Sequence, residues 1–164
     1  IKIKEFFSLT CGHCSNFHIK TLPQLKKKYI DTGKVQLEFI DYPLDRLAVI
    51  AATLARSIPT KDGYIEAVSI LLKKQKQWAY SKNPLIELQS IAKLFGISSK
   101  KFNDISQNIP LMQEIVTKME KESKNFDISS TPTFIVNDKY KISGALSFKD
   151  FEKELLKSIN AKKS

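Results

Sequence analysis

The hydrophobic period of this 164-residue chain changes twice, and few folds allow that order. Residues 1–8 alternate apolar and charged side chains, the period of a strand. Residues 16–29 read as a helix, with Cys14, Phe17, Thr21 and Leu25 one turn apart. Pro23 removes a backbone donor inside it, so a kink is expected there. After the turn Asp31-Thr32-Gly33, residues 35–40 form a second strand. A strand–helix–strand order calls for a right-handed crossover and a parallel pair.

From residue 44 to 125 every pattern is helical. Pro43 fits a first helical position, Leu47, Ala51, Leu54 and Ile58 follow helical spacing, and Pro59 stops the run. Tyr64, Val68 and Leu71 mark a second helix, and Leu88, Ile91 and Phe95 a third between Asn83-Pro84 and Gly96. Ser98 or Ser99 opens a short helix through Phe102 and Ile105, and Met112, Ile115, Val116 and Met119 mark a longer one. These apolar and methionine stripes read as core. Trp78 and Tyr80 fall in a connector that fixes neither as core nor as surface.

The pattern then changes back from helix to strand. Residues 133–136 form a strand directly after Pro132, Asn137-Asp138-Lys139 turns the chain, and residues 140–142 run back antiparallel. Ser143-Gly144 breaks the strand, and Ser147 with Asp150 resembles a capping box for a last helix carrying Phe148, Phe151, Leu155 and Ile159. The end, from Ala161 to Ser164, is expected to fray.

The only cysteines, Cys11 and Cys14, stand two residues apart at the seam of the first strand and helix. A helix N-terminus favours an anion, and a thiolate is one. Cys11 gains most, with His13 adding positive charge when protonated, so its thiol is expected to ionise easily and to attack and leave well in disulfide exchange. Cys14, one turn in, is expected to be the buried partner. Three other readings stand beside this one: a zinc or other metal site using Cys11, Cys14 and a histidine such as His18; an inert disulfide; and two buried unpaired thiols. A closed zinc site takes about four ligands, and a loop this short removes little chain entropy. The strand-to-helix position argues against inert thiols.

Composition bounds the rest. A hydrophobic share of 42%, with ten phenylalanines, excludes wholesale disorder. No apolar run reaches about 18 residues, so no membrane span is expected. The net charge of +10 raises the question of nucleic acid or anionic membrane. The lysines, however, are scattered over the polar faces of separate helices, and arginine occurs only at Arg46 and Arg56. That is a solvated surface, not a nucleic-acid site. The chain opens at Ile1 inside a strand, without Met or a signal pattern. An upstream segment is therefore expected to have been removed, and the first strand to lack a neighbour.

Three stretches in order resemble one family. Glu5-Phe6-Phe7-Ser8-Leu9-Thr10-Cys11-Gly12-His13-Cys14 is similar to the Glu-Phe-Phe-Ser-x-x-Cys-Pro-His-Cys pattern of the DsbA family of bacterial thiol-disulfide oxidoreductases, with Gly12 as a departure. Asp41-Tyr42-Pro43-Leu44 and Ser130-Thr131-Pro132-Thr133-Phe134 match two further stretches of that family. The resemblance covers nearly the whole chain. It implies an α/β, thioredoxin-like fold with an inserted all-helical domain: residues 1–43 and 126–164 as the thioredoxin-like part, 44–125 as the insert.

It also implies roles. Cys11 and Cys14 would exchange disulfides with cysteine-containing protein substrates, with no cofactor and no metal. Thr131-Pro132 would be cis and its backbone would pair with substrate opposite Cys11. Strand alternation puts Glu5 on the same face as Ile3 and Phe7, where a carboxylate is harder to ionise; the resemblance makes it a proton acceptor for Cys14. His18 is expected to be a surface or packing residue. A periplasmic or other extracytoplasmic setting and a membrane redox partner that re-oxidises or reduces the pair are implied. Cys11-Gly12-His13-Cys14 is the sequence of eukaryotic protein disulfide isomerases, which leans the expectation toward an isomerase-capable enzyme. A single-site isomerase would need to oligomerise, and the missing upstream segment is the expected contact.

Overall fold

The computed structural model describes residues 1–161; the expected fraying of the chain end otherwise falls on residues 162–164, outside the described residues. The order is β1 (Lys2–Phe7), α1 (Gly12–Lys20), α2 (Leu22–Leu25), a π-helical turn (Lys26–Ile30) and β2 (Gln36–Asp41). Then come α3 (Arg46–Arg56), α4 (Lys61–Lys73), α5 (Gln75–Trp78), α6 (Pro84–Lys93), α7 (Ser99–Ile105) and α8 (Ile109–Phe126). The chain closes with β3 (Thr133–Val136), β4 (Tyr140–Ser143) and α9 (Phe148–Asn160). Among the described residues no strand lies between β2 and β3.

The sheet order is β2-β1-β3-β4. β1 pairs parallel with β2, as a crossover through α1 requires, and antiparallel with β3. The expectation that the first strand lacks a neighbour is therefore corrected: β3, arriving from far along the chain, takes the flank that β2 leaves free. Asn137 and Asp138 have φ of 49° and 57°, which lets so short a turn join β3 to β4.

Each face of the sheet has its own packing. Ile3, Phe134 and Ile142 meet Phe17 of α1 and Phe151 and Leu155 of α9. On the opposite face Phe6, Ile40 and Ile135 meet Ile128 and Phe126 at the end of α8. A third and larger cluster runs from Phe7, Leu9, Cys11 and Cys14 into the helical block and includes the fully buried Trp78 and Leu88. The cysteines are thus packed on the helices that follow β2.

Local chemistry sets the element ends, and two expectations move. The first helix starts at Gly12 instead of residue 16, and it breaks at Thr21, whose hydroxyl donates to the Leu146 carbonyl at 2.7 Å. Pro23 sits in the first turn of α2, where its missing N–H costs nothing. Pro43 does not open α3; Asp45 caps it by accepting from the Ala48 N–H at 2.8 Å, and a carboxylate cap fixes the start more strongly than a proline. Ser98 and Ser147 cap α7 and α9. On α8 only Ile115 is fully buried, so its methionine stripe is half surface. Trp78 is buried, donating from Nε1 to the Leu71 carbonyl at 2.8 Å, while Tyr80 is 65% exposed.

Candidate active site

Cys11 occupies the cap position of α1, in extended conformation, and its Sγ accepts a hydrogen bond from the Cys14 backbone N–H at 3.1 Å. A sulfur thus takes the place of the usual hydroxyl or carboxylate cap, against one of the unpaired N–H groups of the first turn. The side-chain hydrogen bond from Cys14 is the largest influence on Cys11, and burial opposes it. A side-chain bond with Thr131, the Cys14 N–H and the charge of His13 then bring the thiol down to about 6 from an ordinary 9.0. Cys14 moves far the other way: burial is the first cause, the bond with Cys11 and its charge come next, and Glu5 adds to them. Cys11 is 6% exposed and Cys14 fully buried, and both are free thiols. The two thiols are thus split in acidity, Cys11 the easier and Cys14 the harder to ionise.

The loop before Cys11 is tied down on every side. The Cys11 N–H donates to the Ser8 carbonyl at 3.1 Å, the Ser8 hydroxyl accepts from the Leu44 N–H at 3.3 Å, and the Thr10 hydroxyl donates to Asp45 at 3.0 Å. Gln75 of α5 does most. Its buried Nε2 donates to the carbonyls of Leu9 at 2.8 Å and of Cys11 at 2.9 Å, and the Ser15 hydroxyl reaches the Leu72 carbonyl at 2.7 Å. Gln75→Leu leaves the Leu9 carbonyl without its donor, at about 1–3 kcal/mol, while the Cys11 carbonyl keeps the Ser15 N–H at 3.1 Å. A drop of that size in urea unfolding, with the Cys11 titration displaced upward, is the expected outcome. Nothing in the sequence marks Gln75, which stands between Lys74 and Lys76 in a polar run.

Thr131-Pro132 is cis, and the Cys11 thiol lies 3.7 Å from the Thr131 carbonyl oxygen, to which it donates when protonated. The structure therefore brings Thr131 and Pro132 against Cys11. His13 and Gly12 are exposed beside it. A Cβ on Gly12 would meet only the Tyr80 hydroxyl at 3.6 Å and Gln75 Oε1 at 4.0 Å, ordinary contacts, so the backbone there does not demand glycine.

Glu5 is fully buried on the inward face of β1, as expected, but it is not alone among apolar neighbours. The His18 ring, Nε2 lying 2.9 Å and 3.1 Å from its two oxygens, holds it. Of the two readings of His18, surface or packing, the surface one is corrected: the ring is buried against Phe7, Phe17 and Phe39, and beyond packing it bonds Glu5. It lies four residues after Cys14 on the same helix face, and that spacing was the available signal. Taken up by Glu5, His18 does not complete a metal site with the cysteines. No group of three His, Cys, Asp or Glu among the described residues is placed to hold an ion.

An ionisable cap cysteine, a buried partner thiol and a cis-proline beside them, on a sheet of this order, define the class of thioredoxin-fold dithiol proteins. The thioredoxin family model matches residues 1–157. The solved structure of alpha-DsbA1 from Wolbachia pipientis is 30% identical, with a TM-score of 0.85 over 95% of this chain and 84% of that one. A relative from Rickettsia typhi named as a protein-disulfide oxidoreductase is 32% identical over 135 residues, 82% of this chain and 50% of its own length. The thiol:disulfide interchange protein DsbA of Buchnera aphidicola is 26% identical over 85% of this chain and 66% of its own length. The chain belongs to the DsbA family of the thioredoxin fold. It spans about half the length of the Rickettsia relatives it matches.

Proposed function

We propose that this chain catalyses thiol-disulfide exchange on cysteine-containing proteins through Cys11 and Cys14. The observation that carries the reading is the split of the two thiols, Cys11 drawn down to about 6 and Cys14 pushed up, at one helix start. In the oxidising direction a substrate thiolate attacks Cys11 of the disulfide, and a second substrate thiolate releases the dithiol. In the shuffling direction the Cys11 thiolate attacks a wrong substrate disulfide, and Cys14 offers escape. Thr131, with the cis-proline after it, is the backbone that would align an extended substrate segment.

A thiol at about 6 falls between thioredoxin, about 7, and the strongest oxidants of the family, about 3.5. That intermediate stabilisation of the reduced form supports an enzyme able to shuffle as well as oxidise. On this reading residues 1–43 and 126–164 carry the exchange chemistry, and residues 44–125 hold the cysteine loop through Gln75 and Ser15. An extracytoplasmic setting, with a membrane redox partner, suits such chemistry. No helix among the described residues is long and apolar enough to cross a membrane.

The test is the redox equilibrium of the pair against glutathione. A potential near that of protein disulfide isomerase, about −180 mV, is expected. One near about −120 mV would make the chain a dedicated oxidase, and one below about −270 mV would overturn the reading.

A further inference from the structure

One turn below Cys14, the His18 ring turns Nε2 toward Glu5, 2.9 Å from Oε1 and 3.1 Å from Oε2, the geometry of an Nε2–H donating to a carboxylate. Glu5 is 0% and His18 6% exposed. Aromatic rings enclose the pair. His18 lies against Phe7, Phe17 and Phe39, and the positions facing Glu5 on β2 and β3 are Phe39 and Phe134. The other ionisable groups that face it are few. Cys14 is on α1, with Cys11 beyond it; Tyr64 on α4 lies tilted against Phe39; Asp41 on β2 is taken up by Arg56 of α3 at 2.8 Å. Glu5 weighs on the Cys14 thiol.

We propose that His18 is a positioning residue for the exchange reaction, holding Glu5 as the carboxylate that trades a proton with Cys14. This rests on the exchange function proposed above. In the closing direction Cys11 is bonded to a substrate sulfur. Cys14 gives its thiol proton to the Glu5 carboxylate, and its sulfur attacks Cys11 Sγ. The Cys11–Cys14 bond forms and the bond to substrate breaks. The substrate sulfur leaves as a thiolate with the electron pair, so the protein pair is oxidised and the substrate reduced. In the opening direction a substrate thiolate attacks Cys11, Cys14 leaves, and Glu5 returns the proton. The His18 N–H bonds the carboxylate in both. Without it, the buried carboxylate loses the donor that offsets its burial and holds it in place. The same N–H fixes the carboxylate in place beside the helix that carries Cys14.

The experiment mixes reduced protein with glutathione disulfide at stepped pH, quenches with acid, and counts mixed and closed disulfides by mass. In His18→Leu, closure at neutral pH is expected to slow by about tenfold or more. Its pH profile should move up by about one unit, while capture of glutathione by Cys11 keeps its own profile. His18→Gln, whose amide still donates to the carboxylate, should recover much of the loss, and Glu5→Gln should close as slowly as His18→Leu. Should His18→Leu not fold, the Glu5→Gln and His18→Gln pair decides: closure at the wild-type rate in Glu5→Gln overturns the proposal. So does a loss in His18→Leu that is equal at every pH, which is what a purely structural role predicts. If the wild-type protein itself forms no Cys11–Cys14 disulfide, it is the exchange function that fails.

Discussion

Cys11→Ser is expected to bring disulfide exchange down to the uncatalysed rate, while Cys14→Ser keeps the attack and stops at a mixed disulfide that mass spectrometry will detect. The asymmetry follows from the two thiols' surroundings. At pH 7 a thiol titrating at about 6 is mostly thiolate, whereas an ordinary cysteine is so by a few per cent. The absorbance of the thiolate, and the alkylation rate of Cys11, should therefore rise with a midpoint near about 6. Because the side-chain bond from Cys14 is the largest cause, Cys14→Ala should raise that midpoint toward the ordinary 9.0, and His13→Ala should raise it less. The sign carries to stability. The folded thiol lies below its unfolded value, so the stabilisation of the reduced protein is fully present above 9.0 and lost as pH falls through about 6. The reduced form should then gain on the oxidised one as pH rises across that window. A midpoint for Cys11 close to 9.0 in the wild-type protein would remove the basis for a nucleophile here.

What could be read from residue order alone was whatever has a local cause. β1 and β2 announce themselves by alternation, and β3 by a short apolar run after Pro132. Helical spacing marks α3, α4 and α6 to α8, and Ser147 and Asp150 the cap of α9, whereas α5, which carries Trp78, read as a connector. Cys11 as attacking thiol needed only the position of a helix start. Contacts between distant segments left no such trace. Gln75 looks like any polar residue of a lysine-rich run, yet it closes on carbonyls 64 and 66 residues away. The cis peptide at Pro132 had no local signal and came only through family resemblance. His18 is different, because Cys14 four residues earlier already pointed that helix face inward. What it meets there, Glu5 on β1, is again a contact between separate elements.

Phe17→Ala tests the other half of the site, the seating of the helix whose start activates Cys11. Phe17 is fully buried, with ring centroids 4.5 Å from Phe134 of β3 and 5.5 Å from Phe151 of α9. It is the side chain through which α1 meets both the central sheet and the last helix. Truncation leaves a cavity and is expected to cost about 3–5 kcal/mol. A domain of this kind has about 5–15 kcal/mol in all, so much of the stability should go. In urea the midpoint should fall with the slope unchanged, since the native surface hardly alters. Phe17→Leu, which keeps more of the volume, should cost less than half as much. In the fraction that stays folded, Cys11 should still titrate near about 6, because its partners, the Cys14 thiol and N–H and Thr131, are not those of Phe17. A Phe17→Ala protein as stable as the parent would mean that α1 is held by the clamp from Gln75 and Ser15 and not by its core face. A stable protein with Cys11 moved upward would mean that packing, more than hydrogen bonding, keeps the thiol ionised.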